Sequence, residues 1–274
     1  MDKCRIRNPE VMGIVNITRD SFFPGSRVLA GNGPFEEGPF AERVGKMLSE
    51  GADIIDLGAC STRPGSDPVS TEEEWENLEP ALRVFATRFA GSRLSIDTFR
   101  PEIVSRAFDS VGPFMVNDVS GGSREMWKLV GELGLPYVAM HTRGTPKEMQ
   151  SLTDYEDVTL AVKSFFETFA ETAEAYGIKD WILDPGFGFA KTAGQNWQLL
   201  REMSVFKELG RPVLVGLSRK SFICKPLGIS PEEALVPTQV VDFLALQSGA
   251  DILRVHDVAP AVQTVSLYLQ YQNN

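Results

Sequence analysis

Val11-Met12-Gly13-Ile14-Val15-Asn16 is a short apolar run that stops on a polar residue, and the chain repeats the device seven more times. The later runs stop at Asp56, Asp97, Asn117–Asp118, His141, Asp184, Ser218-Arg219-Lys220 and Arg254-Val255-His256-Asp257. Parallel strands packed beneath helices are buried on both faces, so they read as unbroken apolar runs. Eight of them, with helical segments between, predict an α/β fold: a single (β/α)8 or TIM barrel. Chemistry in such barrels gathers at the C-terminal strand ends. The polar stops would then ring one mouth.

The chain has 274 residues, about one barrel's worth, and shows no linker or internal repeat, so one domain over 1–274 is expected. Hydrophobic residues make up 43% and charged residues 23%, which excludes a disordered chain. The formal charge is −10 and no basic stripe appears, which excludes a general nucleic-acid binder. An anionic ligand would therefore need locally gathered Arg and Lys. Cys4, Cys60 and Cys224 are far apart without C-x-x-C spacing, so neither a zinc site nor a disulfide framework is expected. No signal pattern and no membrane-length apolar run is present, and a reducing cytoplasm is the expected compartment.

The apolar runs place strands at residues 11–17, 53–57, 94–96, 114–116, 137–140, 181–183, 213–217 and 252–255. Residues 18–39 and 58–69, rich in Gly and Pro, read as long mobile βα loops one and two, and long loops in compact domains are often functional. Helices are expected at 40–50, with Phe40, Val44, Met47 and Leu48 on one face, at 124–134, 155–176 and about 260–270. Another opens at Ser70–Thr71, where Glu72, Glu73 and Glu74 give a capping-box pattern, and Pro101 suits a first helical turn.

Each constellation has a bland alternative. Asp184-Pro185-Gly186-Phe187-Gly188-Phe189-Ala190-Lys191 offers a carboxylate able to accept two N–H groups from a planar heterocycle, or merely a capped tight turn. Ser218-Arg219-Lys220-Ser221 puts two cations beside a helix start, an anion site or a solvated basic turn. Arg254 and His256 lie two apart on a strand and face the same way, as a phosphate-type group requires; a lone His is more often structural. Asp97 and Asn117 end adjacent strands and need donors, from a ligand or from a neighbour. Asp56, Asp118 and His141 read equally well as structural. Asn16 could ligate Mg2+ alongside substrate phosphates or cap a turn. Arg63, in Ser61-Thr62-Arg63-Pro64-Gly65, is a solvated loop Arg or a mobile cation.

Together these strings resemble the dihydropteroate synthase family of pterin-binding barrels. The resemblance rests on Met12–Asn16, Thr18 with Asp20-Ser21-Phe22, Ser61–Gly65, Ser95–Thr98, Val116–Asp118, Leu183–Lys191, Ser218–Phe222 and Arg254–Val258, in the family's order and spanning nearly the whole chain. It implies condensation of 6-hydroxymethyl-7,8-dihydropterin diphosphate with 4-aminobenzoate, a step of folate synthesis, by a dissociative displacement. By matching position, Asp97, Asn117, Asp184 and Lys220 would hold the pterin. Asn16, Arg63, Arg254 and His256 would hold the diphosphate, with Mg2+ at Asn16. Thr62, Pro64, Phe189, Arg219 and Ser221 would form the aminobenzoate pocket, for which sulfonamides compete in the family. Asp97, Lys220 and Arg63 are the expected catalytic residues, and a homodimer is implied. The apolar stretches Ala234, 240–246 and 262–269 would supply its surface.

Three positions depart from the family: Pro24 stands where loop one usually carries Asp, Arg19 replaces a common Pro, and Cys60 replaces Glu or Gln. Two rivals share part of the pattern. A methyltetrahydrofolate–corrinoid methyltransferase would keep the pterin-reading Asp and Asn but would need neither Ser-Arg-Lys-Ser nor the Arg/His pair. A pterin-binding protein of weakened activity has only Pro24 in its favour.

Overall fold

The computed structural model describes residues 8–17, 35–60, 69–145 and 147–273. Eight strands form one parallel sheet: β1 (Glu10–Asn16), β2 (Ile54–Gly58), β3 (Arg93–Asp97), β4 (Met115–Asp118), β5 (Tyr137–Met140), β6 (Trp181–Asp184), β7 (Leu214–Val215) and β8 (Ile252–Val255). The ladder runs β6-β5-β4-β3-β2-β1-β8-β7. One parallel bridge, Leu183 with Val213, joins the two ends and closes the barrel.

The helices alternate with the strands: α1 (Glu37–Ser49), α2 (Thr71–Arg88), α3 (Pro101–Val111), α4 (Arg124–Leu133), α5 (Val158–Tyr176), α6 (Ala193–Glu202), α7 (Ser221–Leu227), α8 (Leu235–Gln247) and α9 (Val258–Asn273). Their starts are chemically marked. Ser70 Oγ accepts from Glu73 N, Ser123 Oγ from Met126 N, and Asp157 Oδ1 from Leu160 N. Each satisfies one of the orphan donors of a first turn, worth about 1 kcal/mol. The Asp157 cap explains why α5 opens three residues later than the sequence reading placed it. Thr192 and Gln195 form a reciprocal capping box that starts α6, a helix the apolar periodicity did not flag.

Two apolar bodies hold the barrel. The larger lies between the sheet and the helix ring and includes Phe40, Tyr137, Phe166, Phe206 and Phe222, all at most 2% exposed. Burying a side chain of this size contributes about 1.5–3 kcal/mol. The smaller comprises Met12, Ile54, Met115, Val138, Ile182, Leu214 and Ile252, one from each of seven strands. These are the inward positions at the bottom of the lumen. The filled bottom leaves the opposite end for ligands.

Six of the eight polar stops begin inside their strands, Arg254 among them, whereas His141 and Ser218 follow theirs. Asp97, Asn117, Asp118 and Asp184 all belong to the ladder, with Asp97 in register with Asn117 and Met140 with Asp184. β4 accordingly runs to Asp118, past its expected end at residue 116. β7 is shorter than expected, pairing only at Leu214 and Val215 before the turn at Ser218–Arg219.

Candidate active site

Side chains two apart on a strand share a face. Counting up by two from the lumen floor gives the site. Ile54 leads to Asp56, Met115 to Asn117, Ile182 to Asp184, Ile252 to Arg254 and then His256, Leu214 to Gly216 and Ser218, and Met12 to Ile14 and Asn16. Ser95 and Asp97 hold the corresponding positions on β3, through the register of Asp56 with Ser95 and of Gly58 with Asp97. One layer of the lumen is therefore apolar and the next is polar and charged.

Arg254 organises that polar layer. Its Nε donates to Asp56 Oδ2 at 2.7 Å, and Nη2 lies 2.6 Å from Asp56 Oδ2 and 2.7 Å from Asp97 Oδ2. Those bonds leave Nη1 for a further acceptor. Asn117 Nδ2 donates to Asp56 Oδ2 at 3.2 Å. Burial alone would pull the Arg254 pKa down, but Asp56 and Asp97 reverse the effect and raise it. Burial pushes Asp97 up to about 7, with Arg254 opposing and Asp56 adding to the rise. The far side of Asp97 is braced: Thr98 Oγ1 donates to Glu74 Oε1 at 2.6 Å, and Glu74 pairs with Arg100.

Three acceptors of this cluster, Asp56 Oδ1, Asp97 Oδ1 and Asn117 Oδ1, are buried with no hydrogen-bond partner among the described residues. A buried acceptor left unpaired costs about 1–3 kcal/mol, so the mouth favours a ligand that presents N–H donors.

The second wall comes from the β6–α6 loop and the start of α7. Asp184 Oδ1 accepts from Gly186 N at 2.8 Å. Lys220 donates to the Phe187 carbonyl and sits 4.7 Å from the Phe189 ring centroid, within cation–π range. Burial raises Asp184, against which Lys220 is the largest opposing influence, and burial lowers Lys220 to about 8 while Asp184 holds it up. Each group thus opposes the loss of charge that burial imposes on the other.

His256 Nδ1 lies 3.0 Å from Ser218 Oγ, and Arg43 of α1 caps the His256 carbonyl. Burial and then Arg254 lower the His256 pKa to about 3, so the ring is neutral. The Nδ1–Ser218 hydrogen bond fixes the ring's orientation, and its direction follows the ring tautomer.

Arg219 is turned away from this cluster. Its backbone is left-handed, φ 58, and its guanidinium pairs with Asp257 at 2.8 Å and donates to the carbonyls of Pro231 and Glu232. Its charge is largely spent within the protein. Ser221 opens α7 and Asn16 closes β1. Asp118 faces outward, accepting from Tyr137 Oη and Ser120, and is structural. His141 is buried against Lys191, 3.0 Å from Nδ1 to Nζ, and is held neutral near pKa 3 by burial and Lys191. Thr62, Arg63 and Pro64, with Arg19 and Pro24, lie outside the described residues. Cys60 is buried at the end of β2, its thiol pKa raised by burial.

No cluster of three or more His, Cys, Asp or Glu able to hold a metal occurs among the described residues. The donor set at Asn16 still fits a hard cation that arrives with a phosphate. A methyl built on Gly58 would stand 3.8 Å from Asn16 Oδ1 and 3.7 Å from Asp97 Oδ2, so an amide oxygen lies near a carboxylate whose Oδ2 is already held by Arg254. Magnesium characteristically keeps water and substrate oxygens as its remaining ligands.

Two members of the site have no distinct signal of their own in the sequence. Asp56, the centre of the cluster, reads equally well as structural, and Ser218 reads only as the first residue of an anion site or a solvated basic turn. Both follow from the period-two count out of the lumen floor.

The profile of the family described as pterin binding enzyme matches residues 12–256. The dihydropteroate synthase of Synechocystis sp. is 43% identical over 259 residues, covering 92% of this chain and 86% of that protein. The solved dihydropteroate synthase of Yersinia pestis in complex with a sulfonamide drug superposes with a TM-score of 0.91 at 33% identity, covering 98% of this chain and 96% of that one. The Thermus thermophilus enzyme, solved with 4-aminobenzoate and with 6HMPPP, superposes at 0.84 and 0.81 with 34% and 33% identity, covering 97% of this chain and 95% of that one. A polar ring of paired Asp, Asn, Lys and Arg above a filled parallel barrel, together with likeness over nearly the full length, places the chain in the pterin-binding enzyme family, among the dihydropteroate synthases, the transferases of folate synthesis.

Proposed function

We propose that this chain joins 6-hydroxymethyl-7,8-dihydropterin diphosphate to 4-aminobenzoate, releasing diphosphate, by a dissociative displacement at the barrel mouth. The observation that carries the reading is the set of buried, unpartnered acceptors, Asp97 Oδ1 and Asn117 Oδ1 foremost, beside Arg254 and Lys220. A pterin presents N–H donors along its edge and, in this substrate, an anionic tail. Asp184 takes one part of that edge, Asp97 and Asn117 another, and Lys220 lies against the ring. Arg254 Nη1 and neutral His256 donate toward the diphosphate. Arg63, by matching position, adds a second cation.

An aryl amine is a weak nucleophile, so the carbon must be made strongly electrophilic. As the C–O bond lengthens, negative charge grows on the leaving diphosphate, and fixed donors already in place stabilise it without reorganisation. A magnesium ion bound with the diphosphate at Asn16 would neutralise further charge there. The cation-like carbon is conjugated with the pterin ring and faces the Asp97 carboxylate. The amine lone pair closes the C–N bond and its surplus proton leaves. Phe189, Arg219 and Ser221, with Thr62 and Pro64, form the proposed aminobenzoate wall. Because Arg219 is neutralised by Asp257, it acts there more through its stem and the adjacent backbone than through free charge.

The apolar stripe Val236, Val240 and Leu244 on α8, with Leu267 and Tyr271 on α9, is between 41% and 71% exposed and supports a homodimer through these helices. Ala234, Ala245, Leu246 and Val265, included in the expected surface, are instead core. A cytoplasmic location accords with the buried thiols Cys60 and Cys224, which form no disulfide. The functional test is diphosphate release on mixing the two substrates with Mg2+. Release that requires both substrates is expected; no release with both present overturns the reading.

A further inference from the structure

We propose that Lys191 is a positioning residue for the pterin edge: its ammonium is the pin around which the Asp184–Lys191 loop is wound, and through that loop it sets the place of Asp184 and of the carbonyl that holds Lys220. The inference rests on the pterin reading of the site and extends it to a residue that touches no substrate.

Lysines are rarely buried without several partners, yet Lys191 is 4% exposed. Its Nζ lies 3.0 Å from the Gly186 carbonyl oxygen, 3.1 Å from that of Phe189 and 3.4 Å from that of His141. It also lies 3.0 Å from His141 Nδ1. An ammonium has three protons to give, and neutral His141 can accept one of them. Nζ is therefore saturated by acceptors from the β5 end and from its own loop.

The loop closes tightly over that ammonium. Gly186 has φ +69, and a methyl there would lie 2.0 Å from the His141 carbonyl oxygen and 3.4 Å from Lys191 Nζ. Ala190, immediately before Lys191, is left-handed at φ 49 without being glycine. Such a conformation costs about 1–2 kcal/mol and persists only where the surroundings enforce it. Here the turn is what drives the lysine inward, beneath the loop.

The same loop serves the mouth on its other side. Gly186, whose carbonyl is held by Lys191, donates its N–H to Asp184 Oδ1 at 2.8 Å. Phe187 presents its carbonyl to Lys220. Gly188 N is fixed at 2.7 Å by Asn196 Oδ1. The carbonyls under Lys191 thus alternate with backbone groups that orient Asp184 and Lys220. Its charge acts in the same sense, being among those that oppose the rise of Asp184 on burial. Lys191 itself is pulled down to about 7, by burial above all.

The test compares wild type, Lys191→Met and Lys191→Gln, each checked for folding by thermal unfolding. Binding of the pterin diphosphate substrate and of inorganic diphosphate with Mg2+ is measured by calorimetry. Lys191→Met should weaken the pterin substrate roughly 10- to 100-fold while inorganic diphosphate, held by Arg254 and His256, changes by less than about threefold. Lys191→Gln, which can still donate to two carbonyls, should recover part of the loss. If Lys191→Met does not fold, Lys191→Gln decides alone, with the same selective loss expected at smaller size. Unchanged pterin affinity in a folded variant, or equal weakening of both ligands, overturns the proposal. Failure of wild type to bind the pterin substrate would instead remove the functional reading, leaving the two results distinguishable.

Discussion

Replacing Asp56 with Asn is the sharpest probe of the site, because the two side chains share a shape and differ in charge. Asp56 is fully buried, and its Oδ2 accepts from Arg254 and from Asn117. Asn removes the charge and can leave Arg254 facing an amide donor. Breaking one side of a buried ion pair costs about 3–5 kcal/mol when the other charge is stranded. Arg254 is not stranded: it is 19% exposed and retains Asp97 at 2.7 Å. The expected destabilisation is therefore about 2–3 kcal/mol, out of the roughly 5–15 kcal/mol typical of a folded domain. Urea unfolding should show a lower midpoint at unchanged slope. Arg254 should also swing toward Asp97, so the KM for the pterin diphosphate rises about tenfold or more. A folded Asp56→Asn protein within about 0.5 kcal/mol of wild type and with unaltered KM would refute the central role given to Asp56.

Three further outcomes are expected. Burial raises Asp97 to about 7, so near pH 6.5 much of the ligand-free protein is protonated there, and a ligand that donates N–H groups should expel that proton; calorimetry in buffers of different ionisation enthalpy should show proton release that Asp97→Asn reduces. The sign for folding is opposite: a carboxyl raised from 3.8 to about 7 contributes stability that is lost as pH climbs through that window. Gly186→Ala, forced into φ +69 with its methyl against the His141 carbonyl, should lose at least about 2 kcal/mol of pterin binding, some thirtyfold in Kd by titration. Val240→Glu with Leu244→Glu, at positions 56% and 41% exposed, should shift light-scattering mass from dimer to monomer while helix content is kept, and a wild-type monomer would remove the dimer reading.

The sequence carried the barrel because both-face burial leaves an unmistakable apolar run, and the ladder confirms all eight. It carried Asp97, Asn117, Asp184, Lys220, Arg254 and His256 to one mouth because each ends or follows such a run. It did not rank them. Asp56 and Asp118 look alike in sequence, each ending an apolar run, but one faces the lumen and the other Tyr137. Only the strand phase, fixed by Ile54 and Met115, separates them. Arg219 reads as a mouth cation until its left-handed backbone turns the guanidinium onto Asp257. The α8 helix gave little periodic signal because it is apolar on its exposed stripe as well as its buried one, and α6 was announced only by Thr192 and Gln195. Lys191 closes the Asp184–Lys191 segment with nothing in the sequence to show that it lies beneath the loop, since burial of a long cation is decided by the turn at Ala190.

The single bridge between Leu183 and Val213 makes the barrel's staves unequally fastened. Every other neighbouring pair is registered at two or more residue pairs, whereas the stave that ends in Asp184 and the one that leads to Lys220 share one bridge. The gap across which a flat ring must be gripped is thus the loosest joint in the cylinder.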